Sequence, residues 1–146
     1  YIYQDREAKG LSETLDINDL EKMLKGGKDI NGIRFSDDRR VRFAPKGSYN
    51  LGNNTPENLA KDGFVIVSYG REGAEKLGEI GSAFKRNPYI HGLNIQEGQK
   101  PEQRVSALDS GWSVDGRLGV SGGSFYGDWG GFACGVQNPG EASAKK

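Results

Sequence analysis

Phe64-Val65-Ile66-Val67-Ser68-Tyr69-Gly70-Arg71-Glu72-Gly73 joins the most apolar stretch of the chain directly to a glycine-bounded turn. Its reading decides the fold. A short apolar run rich in Val and Ile, closed by glycine, predicts a strand buried on both faces and central in its sheet. Gly70 to Gly73 then predicts a turn that opens a helix, because Ala74, Leu77, Ile80 and Phe84 follow at helical spacing. Gly78 and Gly81 each cost that helix about 1 kcal/mol relative to Ala. They also leave a smooth patch where another backbone can approach. Asn87-Pro88 ends the helix.

Upstream, Ile17, Leu20, Met23 and Leu24 recur on one helical face, and Asn18 with Glu21 has the form of a capping box. Acidic residues at the start and Lys22 and Lys25 near the end suit the helix dipole, and Gly26-Gly27 supplies the stop. Leu11 and Leu15 extend the pattern back towards a Ser12 cap. Next, Ile33 and Phe35, then Val41 and Phe43, alternate with arginines around Ser36-Asp37-Asp38-Arg39, which predicts a hairpin. Its apolar set is expected to face a core and its arginines to face outward. Residues 45–54 have loop chemistry. Thr55-Pro56 marks the cap and first position of a helix of a turn or two, because Gly63 follows soon after.

Downstream, residues 89–95 predict a short strand and residues 97–104 a polar loop. Residues 112–120 alternate as a strand, and Gly122-Gly123 begins a glycine-rich, aromatic-studded meander that runs to Val136. The expected fold class is therefore α+β: a mostly antiparallel sheet with two short-to-medium helices and a C-terminal β-meander. The βα step at 64–86 would add one parallel pair. Residues 1–146 fit a single domain, with a subdivision near residue 98 as the alternative organisation.

Composition narrows the function classes. The 146 residues include 20 basic and 20 acidic side chains, giving zero formal charge. Bulk electrostatic attraction to nucleic acid is therefore not available. A single cysteine, Cys134, forbids an intrachain disulfide and supplies no zinc-ligand pair. No apolar run reaches the length of a membrane span. The chain begins at Tyr1, which reads as a mature or excised piece of a longer precursor. Extracellular, virion and organellar settings all fit such a chain.

No catalytic constellation, metal-ligand cluster or cofactor fingerprint is evident. His91 is the only histidine, and no nucleophile or orienting carboxylate stands beside it in sequence. Cys134 lies in an apolar, strand-like context that suits a buried small side chain. The turn residues Gly70, Arg71 and Gly73 are a candidate phosphate loop, since a glycine-rich helix start presents backbone N–H groups. That turn lacks the Walker lysine and Ser/Thr, and it lacks the dinucleotide glycine spacing. From Gly63 to Ile80 the chain resembles the GXXG region of KH-type RNA-binding modules, which clamp nucleic-acid backbone. The resemblance implies RNA binding at Gly70 to Gly73. The chain departs from it upstream, where KH modules carry a helix and Val65-Ile66-Val67 favours strand.

Two further surfaces stand out. Arg34, Arg40 and Arg42, with Arg39 and Lys46 nearby, offer bidentate donors to a phosphate or carboxylate partner, partly neutralised by Asp37 and Asp38. Residues 122–132 separate aromatics by glycines, making Tyr126 and Trp129 candidate anchors for a protein partner or for sugar rings. These features favour a non-catalytic accessory or structural subunit, or a binding module, held in a larger assembly by other protein subunits. The alternatives are a nucleic-acid-binding module using the GxxG turn, and a small hydrolase or toxin domain using His91.

Overall fold

The computed structural model describes residues 2–4, 16–93, 106–110 and 115–123 and has an α+β fold. In chain order its elements are β1 (Ile2–Gln4), α1 (Ile17–Lys25), β2 (Lys28–Ile30), β3 (Ile33–Phe35), β4 (Val41–Phe43), β5 (Gly52–Asn53), α2 (Pro56–Lys61), α3 (Gly63–Ser82), β6 (Tyr89–His91), β7 (Ala107–Asp109) and β8 (Gly119–Ser121). They build two four-stranded sheets. The first is antiparallel, in the order β1-β4-β3-β2. The second has the order β5-β6-β8-β7, and its β6–β8 pair is parallel.

Residues 64–69 are helical, which corrects the strand expected there. A short apolar run buried on every side carries no period, so its pattern suits a buried helix as well as a central strand. The cap makes the choice. Asp62 Oδ1 accepts from Phe64 N at 2.9 Å and from Val65 N at 3.3 Å. Val65, Ile66 and Val67 each lose a few tenths of a kcal/mol in helix propensity. Burial of Phe64 and these three residues contributes roughly 1.5–3 kcal/mol per side chain, so packing outweighs propensity. Gly70 adopts φ 74° and ψ 170° and breaks the helix, which resumes to Ser82. The glycine turn lies where the sequence placed it, but it joins helix to helix.

One buried cluster runs through the molecule. It takes Ile33 and Ala44 from the first sheet and its flank, Leu59 from α2, and Phe64 to Val67, Ala74 and Leu77 from α3. Ile90, Leu93, Leu118 and Val120, in and around the second sheet, complete it. Residues on both sides of position 98 thus share this cluster. Gly78 and Gly81 do give close approach. A Cβ on Gly78 would fall 2.7 Å from Pro56 O, and one on Gly81 would fall 2.7 Å from Pro88 Cγ.

The hairpin between β3 and β4 forms as expected, with Ser36 N donating to Val41 O at 2.8 Å. Its facing does not follow the expectation. Arg34 lies opposite Phe43, and Phe35 opposite Arg42. Directly opposed residues share a face. Ile33, Phe35 and Arg42 therefore point towards α3, while Arg34, Val41 and Phe43 point towards α1. The connection 37–40 fixes this register.

Local corrections are smaller. The cap of α1 is Asp16, which accepts from Asn18 N at 2.8 Å and Asp19 N at 3.0 Å, in place of the Asn18–Glu21 box. Thr55 and Pro56 begin α2 as expected. A hairpin between β2 and β3 turns through Asn31 (φ 51°) and Gly32 (φ 80°). Asn-Gly is a strong signal for such a turn. Of the strand expected at 112–120, residues 112–114 lie outside the described residues, 115–118 form a turn, and strand begins at Gly119 (β8, Gly119–Ser121). The loop at 97–104, the backward extension of α1, and the meander from 124 onward, with Tyr126, Trp129 and Cys134, lie outside the described residues.

Asp62 also ties the 45–54 loop to this helix junction. Its Oδ2 accepts from Asn50 N at 2.8 Å, and Gly63 N donates to Ser48 O at 2.7 Å. Burial pushes the carboxyl up to about 6, a rise restrained by its three N–H donors. Nearby Tyr49 is raised as well, by its own burial and by the Asp62 charge. A raised carboxyl contributes stability that is complete below its unfolded pKa of about 3.9 and lost as pH climbs through the folded value. The unfolding free energy is thus expected to fall by order 2–3 kcal/mol between about pH 4 and pH 6.5 from this group. Urea titrations across that range check this: Asp62→Asn should remove the slope, and an unchanged slope would contradict the assignment.

Candidate functional site

The structure does not gather Arg34, Arg40 and Arg42 on one surface. Arg34 reaches the end of α1, where Nε donates to Leu24 O at 2.6 Å and Nη2 to Lys25 O at 3.0 Å. It also pairs with Asp29 at 2.8 Å. These bonds satisfy carbonyls that the helix terminus leaves open. Arg42 points the other way, donating to Val67 O at 3.0 Å and lying 5.2 Å from the Tyr3 ring centre. Arg40 is held by Asp38 in the turn. The hydrogen bond from Arg40 keeps the Asp38 carboxyl down at about 2. Each of the three has a partner within its own chain.

At the α3 break, Gly70 is open, and a Cβ there would meet no atom within 4 Å. Arg71 and Glu72 are exposed and Gly73 is half-buried. The Asn31 amide, oriented by its hydrogen bonds, accepts from Arg71 Nη2 at 2.7 Å and Nη1 at 3.3 Å. The kink thereby touches the β2–β3 turn.

A third group was not assembled by the sequence. On β6, Tyr89 and His91 share a face because Ile90 between them points into the core. His91 pairs in register with Ser121 on β8, and Ser121 with Ala107 on the edge strand β7. Tyr89, Gly119 and Asp109 form the neighbouring row, and Asn53 of β5 extends it. The second sheet thus buries Ile90 and Val120 on one side and carries Asn53, Tyr89, His91, Asp109 and Ser121 on the other.

The carboxylate that sequence reasoning did not find beside His91 comes from β7. His91 Nε2 lies 3.0 Å from Asp109 Oδ2, and both side chains are about one-third exposed. Asp109 Oδ1 is buried and has no hydrogen-bond partner among the described residues. The Tyr89 ring stands 6.1 Å from the imidazole. Arg117 lies 5.2 Å from the Tyr89 ring centre and donates to Asn53 Oδ1 and to Asp115. Ser121 Oγ accepts from Gly123 N at 3.3 Å. This face therefore offers an imidazole held by a carboxylate, a hydroxyl and an aromatic ring under a guanidinium. Among the described residues, no group of three or more His, Cys, Asp and Glu is placed to hold a metal ion.

Comparison with known proteins finds no matching family model, no matching curated protein and no matching solved structure.

The His91–Asp109 contact ties the edge strand β7 to β6 across β8. Removing a hydrogen bond of this kind costs about 0.5–1.5 kcal/mol. In His91→Ala, amide exchange at Asp109 and Ser121, whose N–H groups bond β7 to β8, should accelerate about twofold to tenfold while the α3 amides stay protected. Uniform acceleration, or none, would show that the pair does not hold the edge.

Proposed function

We propose that this chain is a binding module of a larger protein assembly, and that it works through the polar face of its second sheet. The observation that carries the reading is the His91–Asp109 pair, each side chain about one-third exposed, with the Tyr89 ring 6.1 Å from the imidazole. Asp109 Oδ1 is closed to solvent, so a partner's donor meets this carboxylate at Oδ2, beside the imidazole. Tyr89 and Arg117 supply contact area next to it, and aromatic and arginine side chains are the types that dominate protein interfaces. The partner is a protein segment that brings an N–H or ammonium donor to Asp109 and packs against Tyr89. Sedimentation of the chain with its native neighbours tests this. Wild type should co-sediment, and Asp109→Ala or Tyr89→Ala should weaken association about tenfold or more. A chain that sediments as a lone monomer among those neighbours would overturn the reading.

A second reading, a nucleic-acid-binding module, gains from the helical state of residues 63–69. The departure from the KH-type pattern was a strand before Gly70, and a helix now stands on each side of the turn. The turn is accessible, and Arg71 is exposed beside it. Single-stranded RNA should then bind with an affinity that falls steeply with salt. Arg71→Asp should reduce that affinity at least several-fold in a filter-binding or anisotropy titration. RNA affinity unchanged by Arg71→Asp would dispose of this reading and leave the first intact.

A further inference from the structure

Asn31 and Gly32 form the tip of the β2–β3 hairpin, and both are exposed. Three features converge on this dipeptide. Gly32 has no side chain to shield its own nitrogen, and the surrounding space is open: a Cβ built on it meets no atom within 4 Å. The Asn31 side-chain oxygen accepts two hydrogen bonds from the Arg71 guanidinium, at 2.7 and 3.3 Å. The depression lined by Asn31, Lys61, Ile66, Arg71 and Glu75 is open to water.

We infer that Asn31 is a self-modification site, at which the chain converts its own amide to a carboxylate with Arg71 as the electrophilic assistant. In this step the Gly32 backbone nitrogen attacks Asn31 Cγ and forms a new C–N bond. The Cγ–NH2 bond breaks, and ammonia leaves with the proton given up by the Gly32 nitrogen. Water then opens the five-membered imide. Cleavage at Cγ leaves aspartate, and cleavage at the main-chain carbonyl leaves isoaspartate. No oxidant or cofactor is needed. Positive charge held against Oδ1 stabilises the oxyanion that develops in the first step, as preorganised donors do in acyl transfer. The turn must open for the attack, since Asn31 is held at φ 51°. The hairpin that restrains it has three residues per strand and lies at the sheet edge, so local opening is inexpensive.

The product changes the contact it came from. An aspartate at this position meets Arg71 as a bidentate ion pair, a stronger contact than amide to guanidinium. The hairpin tip would then be held more firmly to the break in α3. Isoaspartate lengthens the main chain at the tip and loosens it. The modification thus alters the presentation of Gly70 to Gly73.

Incubation of the full chain in mildly alkaline buffer, followed by peptide mapping by mass spectrometry, tests the proposal. The peptide containing Asn31 should be the first to show the mass gain of amide-to-acid conversion, with aspartate and isoaspartate both present. Arg71→Met should slow the conversion roughly threefold to tenfold, less than the loss of a donor in an enclosed oxyanion hole because this site is exposed. Circular dichroism confirms that the variant is folded, and a synthetic peptide of residues 28–35 gives the rate without Arg71. An Arg71→Met rate equal to or faster than wild type would overturn the proposal. So would earlier conversion at Asn50, Asn53 or Asn58.

Discussion

The structure depends on the burial of one short helical segment, Phe64 to Val67, between two sheets. The first sheet turns Ile33 and Phe35 towards it, and the second sheet Ile90 and Val120. The segment has four large side chains and no polar face. What gives it direction is the Asp62 carboxylate, which fixes the first turn and holds the preceding loop. Direction and burial come from different residues, and neither suffices alone. Apolar burial is non-directional, and a cap without a buried helix would stabilise by only about 1 kcal/mol.

Much of the fold was legible where the sequence carries local chemistry. The Thr55-Pro56 start, the glycine break at Gly70, the 33–43 hairpin and the close approach at Gly78 and Gly81 all follow from residue types acting over a few positions. The failures have a common cause. Residues 64–67 have no polar positions, so nothing in their pattern distinguishes period 2 from period 3.6. The edge strands β1 and β7 have three residues each, too short to show alternation. Asn31-Gly32 is the exception, a local signal sufficient to find the β2–β3 hairpin that the sequence reading passed over.

The candidate site was less legible than the fold, for a physical reason. Its members come from β5, β6, β7, β8 and the turn before β8, and only the sheet order brings them together. His91 and Asp109 meet across an intervening strand, which no spacing rule anticipates. The alternation Tyr89-Ile90-His91 does place two of the members on one face, and that part could be read directly. The arginines show the converse. Arg34, Arg40 and Arg42 are close in sequence and look like a surface, yet the pairing register divides Arg34 from Arg42 between opposite faces and gives each arginine a partner in its own chain.

That division reaches beyond the hairpin. The turn that sets the pairing is built from side chains: Ser36 Oγ donates to Asp38 Oδ1 at 2.7 Å and accepts from Val41 N at 3.0 Å, and Asp38 Oδ1 accepts from Arg40 N at 3.1 Å. A slip of one residue in that pairing would turn Val41 and Phe43 to the side of Ile33 and Phe35, and Arg42 would leave Val67 O and the Tyr3 ring. One serine and one aspartate at the tip of a hairpin thus decide which side of the whole sheet is oily and which is charged.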